Sequence, residues 1–446
     1  MIARARAVAF QILWEVAGSG AHSDELLRSH KVDVLKAQDR ALATTLVLGT
    51  LRCRLKLDAH IRALLSRPDA ALTPTVETAL RLGAYQLLYL DRIPAYAAIG
   101  ESVELVKQTG ETFAAGMVNA VLRKLARLPR ESAVPTAGNV AQMADTYAHP
   151  AWIVERWCRA YGLNAAAAIC RFNQEPAAVC IRLVDPTVER DLIDEGIELD
   201  TGEFLTVARR MTGGDIVRSE AFRLGRVRIQ DEGSQLVAEL AGHADRILDT
   251  CAAPGGKTAI LAERNPEAKI TAWDVSKRRL DAMRRLFAPT EERLRLEVRD
   301  VTATPLQPEY DLILCDVPCT GTGTIGRNPE IRFRVSEDEI ARQHARQVKI
   351  LSSALAGVAP GGRLLYSTCS LEREENEVVV AEALASHPDF ELRPLSNDLT
   401  RLAAEGIVTK DGAERLSGSV LKDGFLRTIP GVHNCDGFFA ALLIRN

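Results

Sequence analysis

The stretch RILDTCAAPGGKTAILA, residues 246–262, decides the fold. Ile247 and Leu248 make a short apolar strand that ends at Asp249, the chain reverses through Gly255 and Gly256, and Thr258 is placed to cap a helix carrying Ile260 and Leu261. Glycine suits the reversal because a Cβ there would hold the backbone away from a ligand. An ordinary strand-to-helix turn in a doubly wound sheet has the same pattern, so the turn alone leaves the ligand open. Spacing removes two ligand classes. The phosphate loop G-x-x-x-x-G-K-[ST] needs glycine five positions before Gly256, where Cys251 stands, and the dinucleotide G-x-G-x-x-G pattern has no third glycine here.

Outward from this turn, from Arg226 to the C-terminus, strands and helices alternate, which predicts an α/β, Rossmann-like domain with a mostly parallel sheet between helices. Strands are expected at 247–249, 269–274, 294–299, 311–316, 363–367 and 438–444, and the helix in RIQDEGSQLVAELAG is expected to close one side of the cleft. Ligands of such a sheet bind beyond the carboxyl ends of its strands. The polar residues there are Asp249, Asp274, Asp300, Asp316 with Pro318-Cys319, and Thr368-Cys369. Asp274, nineteen residues after Gly255, suits both hydroxyls of a ribose, and Asp300 suits an adenine amino group. Together they favour S-adenosylmethionine, whose single ribose, adenine and amino-acid tail need no pyrophosphate cradle.

Cys319 and Cys369 follow neighbouring strands, so both thiols are expected to face one cleft. Close to a cationic sulfonium and Lys257, a thiol loses its proton more readily, and the thiolate is the nucleophile. Carbon 5 of a pyrimidine is itself a poor nucleophile. A thiolate adding to carbon 6 turns it into an enamine that can attack a sulfonium methyl. Which cysteine attacks is not decided by these residues alone.

The chain has 446 residues, enough for three domains: 1–138, 139–225 and 226–446. Residues 3–128 read as an all-α bundle, with Leu42, Leu46, Leu57, Ile61, Leu64 and Leu65 at three- and four-residue spacing and breaks at Gly18-Ser19-Gly20, Pro68-Asp69, Thr73-Pro74, Pro94 and Gly110. A linker is expected at 129–138. Residues 139–225 read as a small α+β domain, with a helix over YAHPAWIVERWCRAYG, a strand at 178–184 and a helix at 187–196. Nine cysteines without a C-x-x-C pair, and no clustered histidines, speak against a disulfide framework or a metal site; Cys53, Cys158, Cys170, Cys180 and Cys315 are expected as core fillers. Residues 1–130 carry 18 Lys and Arg against 12 Asp and Glu in a chain of net charge −3, so the N-terminal part is the candidate surface for a polyanion. No apolar run reaches a membrane span and no signal-peptide cleavage pattern is present, so a cytoplasmic monomer away from membranes is expected.

Two resemblances sharpen this reading. RLGAYQLLYLDRIPAYAAIGESVELVK at 81–107, then Met117-Val118-Asn119 and VLRKL, resembles the all-helical RNA-binding NusB fold, most specifically around Pro94, Glu101 and Asn119, and implies an RNA-facing module. DTCAAPGGKT, DVPCTGTG, NPEIR, YSTCSLEREENE and DGFFAALLIR resemble successive motifs of the RNA cytosine-5 methyltransferases, whose small linker domain is also similar to residues 139–225, although Arg182-Leu183-Val184 departs from the Arg-x-Asn of that family. The joined resemblance implies 5-methylcytosine formation at one cytosine of 16S ribosomal RNA, with transfer RNA or a non-catalytic NusB-type factor as alternatives. It implies Cys369 as nucleophile, Cys319 in product release, the cofactor on Cys251, Ala252, Ala253, Pro254, Gly255, Gly256, Lys257, Asp274, Asp300 and Asp316, and Asp316 also as a hold on the cytosine. A nitrogen methyltransferase would be expected to show Asn/Asp-Pro-Pro-aromatic after the fourth strand, where Asp316-Val317-Pro318-Cys319 supplies a thiol. Residues 395–426 have no counterpart in the family pattern.

Overall fold

The computed structural model describes residues 2–128, 139–287 and 293–446, so the expected linker lies outside the described residues. Two compact units emerge: Met1–Pro176 with Ile325–Arg334, and Ala177–Thr324 with Val335–Asn446. The stretch 139–225, expected as one small domain, is therefore shared between them.

The first unit is helical, with Arg4–Ser19, Ala37–Arg52, Arg54–Leu64, Pro74–Tyr89, Ala95–Gln108 and Ala115–Leu125 packed around a core that includes Ile12, Leu46, Leu57, Leu80, Leu82 and Leu122. The breaks have local causes. Gly20 ends the first helix at φ 69°, a left-handed position that costs glycine little, and the Thr73 hydroxyl accepts from the Val76 N–H to start Pro74–Tyr89. Glu101 accepts from the Ala3 N–H at 2.8 Å and from Arg6 at 2.9 Å, fastening the start of the first helix. Helices Val140–Thr146, Ala151–Tyr161 and Leu163–Phe172 complete the bundle, with Trp157 buried.

Residues 325–334, which contain NPEIR, also belong to this unit. Arg332 donates to the carbonyl oxygens of Arg52 (3.1 Å), Ala148 (2.9 Å) and Asn173 (3.2 Å), and Arg334 to those of Val16 (3.2 Å) and Ala21 (2.5 Å). Glu330 accepts from the Ser23 N–H and hydroxyl, both at 2.8 Å. A motif expected in the catalytic domain thus sits among helices of the N-terminal part.

The second unit holds two sheets. β1 (Cys180–Leu183), β2 (Glu198–Thr201), β3 (Ala208–Gly213) and β4 (Val227–Ile229) form an antiparallel sheet in the order β2-β3-β1-β4. Arg182 on β1 is buried and paired with Glu239 at 2.8 Å and Glu263 at 2.9 Å, which gives it a structural partner set. The larger sheet contains β5 (Arg246–Asp249), β6 (Lys269–Asp274), β7 (Leu294–Val298), β8 (Tyr310–Asp316), β9 (Val358–Thr368), β10 (Phe390–Arg393), β11 (Leu421–Lys422), β12 (Phe425–Arg427) and β13 (Phe439–Arg445). Its order is β11-β12-β13-β9-β8-β5-β6-β7, with β10 pairing β13. The five strands β7, β6, β5, β8 and β9 run parallel and β13 antiparallel.

Period-two alternation divides these strands between two cores, as a sheet covered on both faces requires. Ile247, Leu312, Leu314, Leu365, Ala440 and Leu442 pack on one face; Leu248, Ile313, Cys315, Leu364, Tyr366 and Phe439 pack on the other. Of the expected core cysteines, Cys170, Cys180 and Cys315 are buried, while Cys53 and Cys158 are half-buried. The segment after β10 has a structural role. The Thr409 N–H donates to the Phe204 carbonyl (2.9 Å) and the Thr206 N–H to that of Ile407 (3.0 Å), bracing the β2–β3 connection. Among the described residues no helix is long and apolar enough to cross a membrane.

Candidate active site

Chain order reverses between β5 and β8: β6 and β7 lie on one side of β5, β8 and β9 on the other. A crevice opens at such a switch point. The Thr250 N–H donates to the Leu314 carbonyl at 3.0 Å, holding the start of the turn against β8.

The turn passes through Cys251, Ala252, Ala253 and Pro254 to Gly255, which stands at φ 106° as the N-cap of helix Gly256–Arg264. No side chain caps this helix. Thr258, expected as the cap, lies inside the first turn, and its hydroxyl donates to Asp249 at 2.7 Å. The reason is burial: Asp249 is 1 % exposed, and an unpartnered carboxyl there would be costly. Burial first, then the nearby Asp316 charge, raise the Asp249 pKa to about 7 against the opposing Thr258 hydrogen bond. Ala252 is buried and donates to the Trp273 carbonyl at 2.8 Å. The Ala253 N–H reaches Asp274 at 3.3 Å. Gln230, just before helix Glu232–Ala241, lies against Gly256, where a Cβ would come within 3.2 Å of it.

Asp274 ends β6, nearly buried, and its Oδ1 accepts from the Ser276 N–H (2.8 Å) and Arg279 (3.0 Å). Asp300 is exposed past β7, and its Oδ1 accepts from the Thr302 N–H and hydroxyl. Asp316 ends β8: Oδ2 accepts from Lys257 Nζ at 2.7 Å and Oδ1 from the Ser367 hydroxyl at 2.6 Å. Burial opposes the Lys257 charge, but Asp316 and then Cys369 hold its pKa above the ordinary value.

Cys319 and Cys369 are brought together, Sγ to Sγ 3.4 Å, as two free thiols. That separation is far beyond the roughly 2.05 Å of a disulfide. The hydrogen bond to Cys369 first, then burial, push the Cys319 pKa well above its usual value. Gly323 lets the strand-end loops meet, since a Cβ there would fall 2.8 Å from the Cys369 carbonyl and closer still to that of Gly437.

Sequence reasoning assigned no role to three further residues around the thiols. Glu375 is fully buried and accepts from the Thr320 N–H (2.8 Å), Gln347 (2.9 Å) and the hydroxyls of Thr320 and Ser370. Gln347 also donates to the Pro318 carbonyl at 3.0 Å. Asn376 accepts from the Thr368 hydroxyl at 2.5 Å and donates to the Ser370 carbonyl at 2.9 Å. A signal for Gln347 existed: it stands on the buried stripe Ile340, Ile350, Leu351 and Ala354 of helix Glu337–Leu355, a polar residue where the period calls for an apolar one. Among the described residues no cluster of His, Cys, Asp and Glu could hold a metal ion.

Comparison with known proteins agrees with this architecture. A family model described as 16S rRNA methyltransferase RsmB/F matches residues 239–444, and the NusB family matches residues 3–127. The chain is 35% identical to "Probable ribosomal RNA small subunit methyltransferase B" of Bacillus subtilis over 97% of each chain. It is 32% identical to ribosomal RNA small subunit methyltransferase B of Xanthomonas campestris, over 99% of this chain and 97% of that one. The crystal structure of PH0851 superposes with a TM-score of 0.79 at 26% identity, covering 98% of each chain. The chain belongs to the RsmB/F family of 16S rRNA methyltransferases, with a NusB-family domain at its N-terminal end.

Proposed function

We propose that this protein forms 5-methylcytosine at one cytosine of 16S ribosomal RNA, with Cys369 as the nucleophile, Cys319 assisting release and Asp316 holding the base. The observation that carries the reading is the thiol pair, 3.4 Å apart, at the ends of β8 and β9 and beside the Lys257–Asp316 ion pair. A Cys319 held above its usual pKa is the less ready of the two to give up its proton. Cys369, whose charge the Lys257 ammonium feels, is the sulfur placed to attack.

The residues suit S-adenosylmethionine. Helix Gly256–Arg264 has no side-chain cap, so its N-terminus is open to the carboxylate of an amino-acid tail. Asp274 reaches the turn through Ala253, in place to share its lone pairs with a ribose, and Arg279 beside it is exposed enough to yield. Asp300 commits only Oδ1 to Thr302, which leaves Oδ2 for an adenine amino group. When bound, the cofactor supplies an electrophilic methyl group.

The protein's own residues do the rest. Cys369 forms a bond to carbon 6 of the cytosine, carbon 5 takes the methyl, a base removes the carbon-5 proton, and the sulfur–carbon bond breaks. Asp316 accepts one bond at each oxygen, from Lys257 and from Ser367, which leaves a lone pair on each to hold the ring.

The test uses RNA containing 5-fluorocytosine, whose fluorine blocks loss from carbon 5 and traps the adduct. Cys369→Ser is expected to lose both turnover and adduct, because serine is barely ionised at neutral pH, whereas Cys319→Ser retains RNA on a denaturing gel even without fluorine. Trapped RNA on Cys369→Ser and none on Cys319→Ser reverses the two roles. Bisulfite sequencing of cellular RNA with and without the gene tests the target, and a signal lost only from transfer RNA moves it.

A further inference from the structure

We propose that Glu375, with Gln347 and Asn376, is the positioning residue that sets how the two reactive thiols face each other; this rests on the reading of Cys369 as nucleophile and Cys319 as release group. None of the three needs to touch substrate. Each cysteine is held by its chain neighbours on both sides, and this one cluster holds those neighbours.

Around Cys319, the Pro318 carbonyl accepts from Gln347 at 3.0 Å and the Thr320 N–H donates to Glu375 Oε1 at 2.8 Å. Around Cys369, the Thr368 hydroxyl donates to Asn376 at 2.5 Å and the Ser370 carbonyl accepts from Asn376 at 2.9 Å. Glu375 Oε2 joins the two halves by accepting from both the Thr320 and the Ser370 hydroxyls. Its backbone carbonyl is fixed by Tyr366 at 2.6 Å, so the carboxylate is aimed from a rigid base. Glu375 is 0 % exposed, and no solvent competes for its oxygens. A carboxylate with four donors is strongly held, since hydrogen bonds to a charged acceptor are about twice as strong as neutral ones.

The design depends on reach more than on charge, which separates two conservative variants. Glu375→Asp keeps the charge but draws the carboxylate back by about one bond, ~1.5 Å, so it no longer spans both loops. Glu375→Gln keeps the reach: its amide oxygen takes the bonds from Thr320 N–H and Gln347, and its amino group meets the two hydroxyls, which rotate to accept.

The experiment measures turnover, KM for unmethylated 16S rRNA and retained protein–RNA adduct on the full-length protein. Glu375→Asp is expected to lose turnover on the order of 100-fold, as a misplacement of about 1 Å does, with KM for RNA within about two-fold and adduct accumulating as in Cys319→Ser. Glu375→Gln is expected to lose less than Glu375→Asp. In a Cys319→Ser background Glu375→Asp should slow release no further. Thr320→Val, which removes the hydroxyl's contacts with Glu375 and Ser370 but keeps the Thr320 N–H bond to Glu375, decides the matter if Glu375→Asp does not fold, and should lose turnover in the same direction with adduct retained. Glu375→Gln losing more than Glu375→Asp, or Glu375→Asp and Thr320→Val turning over like wild type, overturns the inference. A wild type that traps no 5-fluorocytosine RNA overturns the covalent reading itself, a result distinct from a wild type that traps and a Glu375 series that makes no difference.

Discussion

Arg332 is a fully buried cation and Lys257 a largely buried one, and their surroundings differ in kind. Arg332 donates only to backbone carbonyls, and among the described residues it forms no ion pair. Burial first, then the neighbouring Arg52, pull its pKa down to about 9, and at neutral pH it stays charged. Lys257 faces a carboxylate, Asp316, and burial is outweighed there, so its pKa rises. Carbonyl dipoles hold a cation in place without giving it a partner that can be exchanged. A carboxylate at a strand end, with 27% of its side chain exposed, can change partners. The first arrangement is a clasp in the helical unit, and the second is a site that chemistry can use.

The comparison can be broken at either end. Arg332→Met leaves the carbonyls of Ala148 and Asn173 without this donor, while that of Arg52 keeps Gln174 at 3.3 Å; at about 1–3 kcal/mol for each unsatisfied group, the loss is on the order of 4 kcal/mol. Urea unfolding followed by helical signal is expected to show it, and an unchanged midpoint would remove the clasp. Lys257→Met should cost less stability, about 1–2 kcal/mol, because Asp316 is partly exposed and water screens it. Turnover in that variant should nonetheless fall by on the order of 100-fold, as expected when a charge that stabilises a reacting group is removed. A larger stability loss than in Arg332→Met, with turnover kept, would reverse the two roles.

The smallest effect sharpens the electrostatics of the turn. The carboxyl of Asp249 has a folded pKa of about 7 against 3.8 in the unfolded chain, so the native state keeps a proton that the unfolded state releases. Its contribution to stability therefore falls as pH rises from about 4 to about 7 and is level above that. Asp249→Asn, which does not titrate, should gain melting temperature relative to wild type across that window and hold a constant difference beyond it. A difference that does not change between pH 4 and 7 would show that Asp249 is ionised throughout.

Much of the fold was legible because its signals are local. Apolar runs gave six of the nine strands described in the large sheet: 269–274 coincides with β6, and 363–367 lies inside the longer β9, whose start runs through Pro360-Gly361-Gly362 and so reads as a turn; β10, β11 and β12 were not expected. The expected Thr258 cap failed because a hydroxyl two residues after the Gly255-Gly256 turn can face either the helix end or a buried carboxyl, and Asp249 needed it. NPEIR was read into the catalytic domain because it follows Cys319 closely in the chain. Proximity in sequence does not say where a segment docks, and Arg332 found its carbonyls among helices far back in the sequence.

What the sequence by itself determined is therefore the set of elements and the ends at which reactive residues stand, since periods of 2 and 3.6 and the glycine turn are properties of neighbouring residues. Only the tertiary structure decided which ends meet. Strand order set Asp316 beside Lys257, fifty-nine residues away, and Cys319 beside Cys369, fifty residues away, and it supplied Glu375 and Asn376 to hold them. Such pairings depend on packing across the whole sheet, where a partner is selected by burial and hydrogen-bond satisfaction, and no local pattern of residues encodes that choice.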